Sequence, residues 1–295
     1  MGQIYFIILL LSFGYILQYT KLPDKTPQIL NKIVIYISFP AAVLLHAPKI
    51  EFSQSVLLPI ITPWLLLFVS VISVLVLFKN TDVNTKAALM LLIPLGNTSF
   101  LGFPLIESVL GEDAIKYAIL YDQFGSFLML SIYGTIIVSL YSHGKMNLQD
   151  IVKKIAFFPP FIVLIYSIFV GYIPQQTIPF VKILAGTLTP FAIISVGMTM
   201  KLRIGEEKIT FLKAILLKLI LIQFLVLSIF AYFNLNDIVA QTTLLESAMP
   251  SMITAGVLAA NAGFAPRLSA TLVGYGIAFS LVTVPLFAKL FDTFV

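Results

Sequence analysis

Ten stretches of this 295-residue sequence are long, apolar and nearly free of charge. They run near residues 2–18, 27–47, 55–78, 84–110, 114–141, 154–172, 178–200, 209–233, 237–261 and 265–291. An apolar helix needs about 20 residues to cross the hydrocarbon core, and each stretch is close to or above that length. None alternates apolar and polar residues, as the strands of a membrane barrel do. The expected fold is all-α: a multi-pass integral membrane protein of ten transmembrane helices. Composition supports this, with 59% apolar residues and only 18 Lys and Arg against 13 Asp and Glu. A soluble chain is about a quarter charged, so an ordinary soluble enzyme and a disordered chain are excluded. The absence of cysteine removes any disulfide framework or Cys-ligated metal site. Two histidines, His46 and His143, are too few for a haem pair or a His-rich metal site.

The few charges set an orientation. Thirteen basic residues fall in the links after the odd-numbered segments, among them Lys21, Lys79, Lys145, Lys153, Lys201 and Arg267, and four, Lys49, Lys116, Lys182 and Lys289, lie on the other side. By the positive-inside rule both termini are expected outside, on the periplasmic side of a bacterial inner membrane. The basic residues are spread in short groups, so the lipid bilayer and not a nucleic acid is the expected partner. The N-terminus has no basic leader or small-residue cleavage site, so its apolar run reads as a retained first span.

The sequence also reads as two halves. Pro40 opens Pro-Ala-Ala-Val-Leu-Leu in the second segment, and Pro190 opens Pro-Phe-Ala-Ile-Ile-Ser in the seventh, 150 residues on. The longest polar link falls between the halves, giving repeats over 1–141 and 154–295 and a cytoplasmic linker over 142–153. Five spans is an odd number, so the second repeat enters from the opposite face. Inverted repeats of this kind recur in secondary transporters.

Each repeat has an interrupted helix. In the fourth segment Pro94 and Gly96 weaken the helix near mid-membrane, and Asn97, Thr98 and Ser99 offer caps for a new one. In the ninth, Glu246-Ser-Ala-Met-Pro-Ser251 holds Pro250, tolerated at the first turn of a fresh helix, with Ser247 or Ser251 as caps. Paired breaks in two inverted halves are the best sequence pointer to a transporter site. Half-helix N-termini near Thr98 and Pro250 would attract a carboxylate. The other prolines, including Pro63, Pro159 and Pro160, read as ordinary kinks.

Ionisable residues at membrane depth usually face protein or water. Glu246 lies one turn before Pro250, where a carboxylate beside freed carbonyls suits a sodium ion or a titrating proton; a protonated Glu supporting the kink is the other role. Asp122, in Leu120-Tyr-Asp-Gln-Phe-Gly125, can bond to the fourth-segment break, with Gln123 on a neighbouring face; structural and functional roles stay open. Lys218 is expected to snorkel to the cytoplasmic surface, and His46 to be interfacial.

Gly96-Asn-Thr-Ser-Phe-Leu-Gly-Phe-Pro-Leu105, Leu120-Tyr-Asp-Gln-Phe-Gly-Ser-Phe127 and Ala248-Met-Pro-Ser251 together resemble the auxin efflux carrier family, which includes bacterial putative malonate transporters and plant auxin carriers. The similarity extends over essentially the whole chain. It implies crossing fourth and ninth helices, a scaffold of the first, second, sixth and seventh, and a transport domain of the rest. A homodimer working by an elevator-like shift is also implied. Asn97 and Pro104 match the asparagine and proline that flank substrate in plant carriers, and Pro250 matches the second crossover position. Glu246-Ser-Ala-Met249 is similar to the segment in bile-acid sodium symporters whose Glu binds sodium. The short linker lacks the regulatory loop of many plant members.

The expected substrate-binding residues are Gly96, Asn97, Thr98, Ser99, Pro104, Met249, Pro250 and Ser251. The expected ion-coupling residues are Glu246, Asp122, Gln123 and Asn97, with Glu246 as the sodium ligand if sodium is used. No resident cofactor is expected; Na+ or H+ is the coupling ion. Ion-independent efflux of organic anions is the alternative. An intramembrane aspartyl protease would need a second Asp in a Gly-x-Gly-Asp setting, and a rhomboid a Gly-x-Ser-Gly; neither is present.

Overall fold

A backbone segment at membrane depth satisfies its own polar groups most simply as a helix. In the computed structural model, which describes residues 2–51, 53–142, 147–205 and 207–295, helices form every named element. They are α1 (Gly2–Leu17), α2 (Thr26–Lys49), α3 (Gln54–Leu77), α4 (Val83–Leu92), α5 (Thr98–Leu110), α6 (Glu112–Tyr141), α7 (Leu148–Ala156), α8 (Pro159–Phe169), α9 (Gln175–Thr199), α10 (Lys208–Tyr232), α11 (Ile238–Ser247), α12 (Ile253–Asn261) and α13 (Pro266–Phe294). Six of these, α2, α3, α6, α9, α10 and α13, are long and apolar enough to cross a bilayer. The apolar α1, α4 and α5 are shorter. Among the described residues there is no β-strand, only an isolated antiparallel bridge between Gly96 and Ser251.

Small residues let the helices approach closely. A Cβ on Gly14 of α1 would strike the carbonyl oxygen of Ile194 in α9, and one on Gly197 of α9 would strike that of Leu11 in α1. The two backbones therefore touch through reciprocal notches, the packing mode of membrane helices. Polar ties join α2 to the same helix: Ser195 Oγ donates to Asn31 Oδ1 at 2.5 Å, and the Ser38 and Thr187 hydroxyls lie 2.7 Å apart. Elsewhere the Pro63 ring of α3 fills the notch left by Gly125 of α6, and Trp64 Nε1 donates to Phe124 O at 2.9 Å. Pro63 is thus a packing residue as well as a kink.

The sixth apolar stretch is not one straight span. It divides into α7 and α8, bent by 59°. Pro159 and Pro160 open α8, and a proline there can neither donate to α7 nor allow helical backbone just before it. Phe158 is accordingly extended at φ −79°, ψ 112°. The expected linker, 142–153, is partly helical, because α7 begins within it; His143 and Lys145 lie outside the described residues. Lys218 corrects another expectation. It is only 6% exposed within α10, so it is held by protein and does not snorkel.

The α4 and α11 helices start alike. Asp82 accepts from the Thr85 N–H at 2.9 Å, and Asp237 from the Ala240 N–H at 2.8 Å. Each carboxylate thus satisfies one of the free donors at a helix start. Thr85, through its hydroxyl and its N–H, holds the Asp82 carboxyl below the usual carboxylate range. Asp82→Ala should cost about 1 kcal/mol of stability. That difference should hold above pH about 4 and shrink as pH falls through the lowered folded value, because only the ionised form is favoured by the cap. Thermal midpoints of wild type and variant across an acid pH series check it.

Candidate functional site

The two interruptions share one construction. Helices α4 and α11 each run for ten residues, end, and are followed by a five-residue non-helical stretch, 93–97 and 248–252, before α5 and α12 begin. Pro94 and Pro250 fall inside these stretches, where the missing N–H breaks the helical ladder. Pro250 therefore lies in the extended link and not, as expected, in the first turn of α12.

The links lie against each other. Asn97 N–H donates to Pro250 O at 2.8 Å and Met252 N–H to Leu95 O at 2.9 Å, flanking the antiparallel Gly96–Ser251 bridge. Ser251 Oγ donates to Leu92 O at 2.7 Å, closing a carbonyl left free at the end of α4. A Cβ at Gly96 would make only ordinary contacts, 3.5 Å from Thr98 Cγ2 and 3.7 Å from the side chain and carbonyl of Met249, so the approach does not depend on a glycine there. The breaks in the two halves are thus one object, held by main-chain hydrogen bonds.

The proposed side-chain caps do not form. Asn97 stands just before α5 and Met252 just before α12, and neither makes a side-chain cap hydrogen bond. The hydroxyls are used across the crossing instead. Ser247 Oγ donates to Gln223 Oε1 at 2.6 Å, while Gln223 Nε2 donates to Ser247 O at 2.8 Å and Lys218 O at 3.1 Å. Gln223 of α10 therefore secures the free end of α11. The sequence offered a signal for it, a lone amide inside an apolar stretch, of the same kind that marked Asp122.

Thr98 Oγ1 donates to Asp122 Oδ1 at 2.5 Å, and Gln123 Nε2 donates to Asp122 Oδ2 at 2.7 Å. Asp122 does reach the break in the fourth segment. Gln123, the next residue along the helix, donates to the same carboxylate. Both residues lie in a widened π turn over Tyr121–Phe127 of α6, and Thr98 and Ser99 lie in another over Thr98–Gly102 of α5. Widened turns of this sort often mark functional positions.

Glu246 is 1% exposed, and neither carboxylate oxygen has a hydrogen-bond partner. It faces Gly102 of α5, where a Cβ would come within 2.6 Å of Oε2. Gly102 was not singled out in the sequence, since nothing local announces a close approach from another helix. The Asn97 amide nitrogen, Gln123 Oε1 and the Ser126 hydroxyl are also buried without partners. A buried polar group left unpaired costs free energy, so this cluster has unused capacity to bind.

Two cavities adjoin the site. The smaller, about 190 Å3, is lined by Asn97, Ser99 and Asp122 from the crossing and by Asn31, Ile35 and Phe39 from α2. The larger, about 490 Å3, is lined by Pro104, Glu107 and Glu112, with His46 of α2 and Lys182 and Thr189 of α9. Asn97 and Pro104 thus border different cavities. His46 Nδ1 lies 3.9 Å and Lys49 Nζ 3.5 Å from Glu112 Oε1, joining the end of α2 to the start of α6.

Paired interrupted helices, joined through their backbones inside an all-helical apolar chain, mark a membrane-embedded transporter. The chain belongs to the Membrane transport protein family, whose model matches residues 1–288, the family of the auxin efflux carriers to which the motifs point. It is 27% identical to an uncharacterized transporter of Methanocaldococcus jannaschii, over 97% of each chain. It is 24% identical to an uncharacterized transporter of Methanothermobacter thermautotrophicus, over 96% of this chain and 95% of that one.

The Thr98–Asp122 bond should hold α5 to α6. Thr98→Val preserves shape but leaves a buried carboxylate oxygen without its donor, at a cost of about 1–3 kcal/mol. A lower thermal midpoint than wild type, with Thr98→Ser nearly unchanged, is the expected result in detergent.

Proposed function

We propose that this protein is a secondary transporter of small organic anions, malonate- or auxin-like carboxylates, with substrate bound where the two interrupted helices cross. The observation that carries this reading is the crossing itself: backbone-paired interruptions beside a carboxylate, Glu246, that the protein leaves unpartnered. The N-terminal ends of α5 and α12 both start at the crossing, so their dipoles favour an anion there. Asn97, with a free amide donor, is the proposed contact for one substrate oxygen. Thr98, Ser99, Met249 and Ser251 complete the surroundings, and Pro104 borders the approach.

Glu246 is the coupling group. An isolated carboxylate is too costly to bury as a bare charge, so it carries a proton or faces a sodium ion. Its release or capture is what would tie substrate movement to an ion gradient. The matched construction of α4–α5 and α11–α12 supports ten spans arranged as two inverted repeats. In that arrangement α1, α2, α8 and α9 form the scaffold, and the other helices move past it as an elevator. A homodimer in the plasma membrane with both termini outside completes the reading, the orientation following from the 13-to-4 distribution of basic residues.

Uptake into proteoliposomes under imposed sodium or proton gradients tests both roles. Asn97→Ala should lower carboxylate flux at least tenfold. Glu246→Gln should make the remaining flux indifferent to the gradient. Undiminished coupled uptake by Glu246→Gln would remove the coupling role. A wild-type flux insensitive to both gradients would identify an ion-independent carrier instead.

A further inference from the structure

The two cavities are stacked along the same helices. Reading along α2, Asn31, Ile35 and Phe39 line the smaller cavity, and Ala42, Leu45 and His46 the larger. Along α5 the order repeats: Ser99 and Phe100, with Asn97 just before the helix, line the smaller, and Phe103, Pro104, Glu107 and Ser108 the larger. Helix α6 gives the reverse sequence because it runs the other way, with Glu112 and Ile115 in the larger cavity and Asp122 and Phe127 in the smaller. From Asn31 to His46 the helix rises about 22 Å at roughly 1.5 Å per residue. The cavities therefore lie at different depths along these helices, the smaller at the crossing and the larger toward His46.

One aromatic contact separates them. Phe39, which lines the smaller cavity, and Phe103, which lines the larger, meet edge to face with ring centroids 5.0 Å apart and planes at 76°. They are 1% and 2% exposed, and the two cavities share no lining residue. Their local structure is the same. Phe39 N–H closes a π turn on Val34 O, and Phe103 N–H closes one on Thr98 O. Each is followed by a proline, Pro40 or Pro104, which has no N–H to extend the widened turns. The contact thus joins two like Phe-Pro corners, one on α2 and one on the α5 half-helix that begins at the crossing.

We propose that the two cavities are the two halves of the substrate path and that the Phe39–Phe103 pair is the barrier between them. The proposal rests on the transport reading for the meaning of the path, since it places one ring on the scaffold and the other on the moving helices. An edge-to-face pair suits this task. It excludes water and ions by apolar bulk, and its added attraction of about 0.5–1.5 kcal/mol is weak enough to yield when one helix slides past the other. Glu107, Glu112, His46 and Lys182 make the larger cavity a charged vestibule, whereas the smaller ends directly at Asn97 and Asp122.

The chain has no cysteine, so single cysteines report without background. Ser99→Cys probes the smaller cavity and Thr189→Cys the larger. The reagent is a membrane-impermeant methanethiosulfonate applied to reconstituted protein from the face that carries His46 and Glu112. Thr189→Cys should react readily from that face in every background, which also verifies folding and orientation. Ser99→Cys should react at least tenfold more slowly there than Thr189→Cys. Adding Phe39→Ala or Phe103→Ala should raise its rate at least tenfold, and Phe39→Leu, which keeps apolar bulk, should raise it far less. Ser99→Cys reacting as fast as Thr189→Cys with both rings present would overturn the barrier. So would rates unmoved by either alanine in protein whose Thr189→Cys control is normal. Labelling needs no flux, so a chain that moves none of the carboxylates tried would still show the barrier, and failure of the two proposals can be told apart.

Discussion

A helix interrupted at membrane depth frees N–H and C=O groups that lipid cannot satisfy. Here the interruption in one half supplies what the other lacks. Asn97 and Met252 donate backbone N–H groups to Pro250 and Leu95, and the Ser251 hydroxyl takes up the carbonyl of Leu92. Neither break is sustainable alone, because each leaves at least one of these groups without a partner. The pairing therefore fixes the relative placement of α4, α5, α11 and α12. Everything at the site is positioned from it: Thr98 is brought to Asp122, and Glu246 to Gly102.

The rest of the packing distributes rigidity unevenly. The α1, α2 and α9 helices are joined by reciprocal glycine notches and by hydroxyl–amide and hydroxyl–hydroxyl bonds. The crossing helices are tied to α6 and α10 through Asp122 and Gln223. Between these two groups, the Phe39–Phe103 contact is apolar and carries no hydrogen bond of its own. The approach of His46 and Lys49 to Glu112 also joins the two groups at the end of α2, so the boundary between them combines this apolar contact with one polar tie.

Much of the fold was legible from apolar length, because a run of about 20 uncharged residues has few alternatives to a membrane helix. Both breaks were legible too, since proline and glycine amid polar residues at mid-span act locally. The errors came from longer-range effects. Asn97, Thr98 and Ser251 have the composition of caps, yet tertiary partners engage Thr98 and Ser251 while Asn97 keeps a free amide. Lys218 looked able to snorkel because its depth in the sequence says nothing about which neighbours enclose it. Pro159–Pro160 was read as a kink, although two prolines after Phe158 stop α7 altogether. Gly102 and Phe39 carried no signal, because their importance lies in what another helix presents to them.

The two buried acids at the crossing are not equivalent, and their surroundings separate their roles. Asp122 has a donor on each oxygen, from Thr98 and Gln123, so its carboxylate is already compensated by the protein and serves to hold α5 on α6. Glu246 has none, and among the described residues no other carboxylate is buried with both oxygens unmet. Moving an external proton or cation onto Asp122 would compete with bonds that locate the crossing. Adding one to Glu246 disturbs no hydrogen bond and removes the cost of a bare buried charge. Under the proposed function, ion coupling is therefore easiest to build at Glu246, where a gain in compensation need not loosen the bonds that hold the crossing.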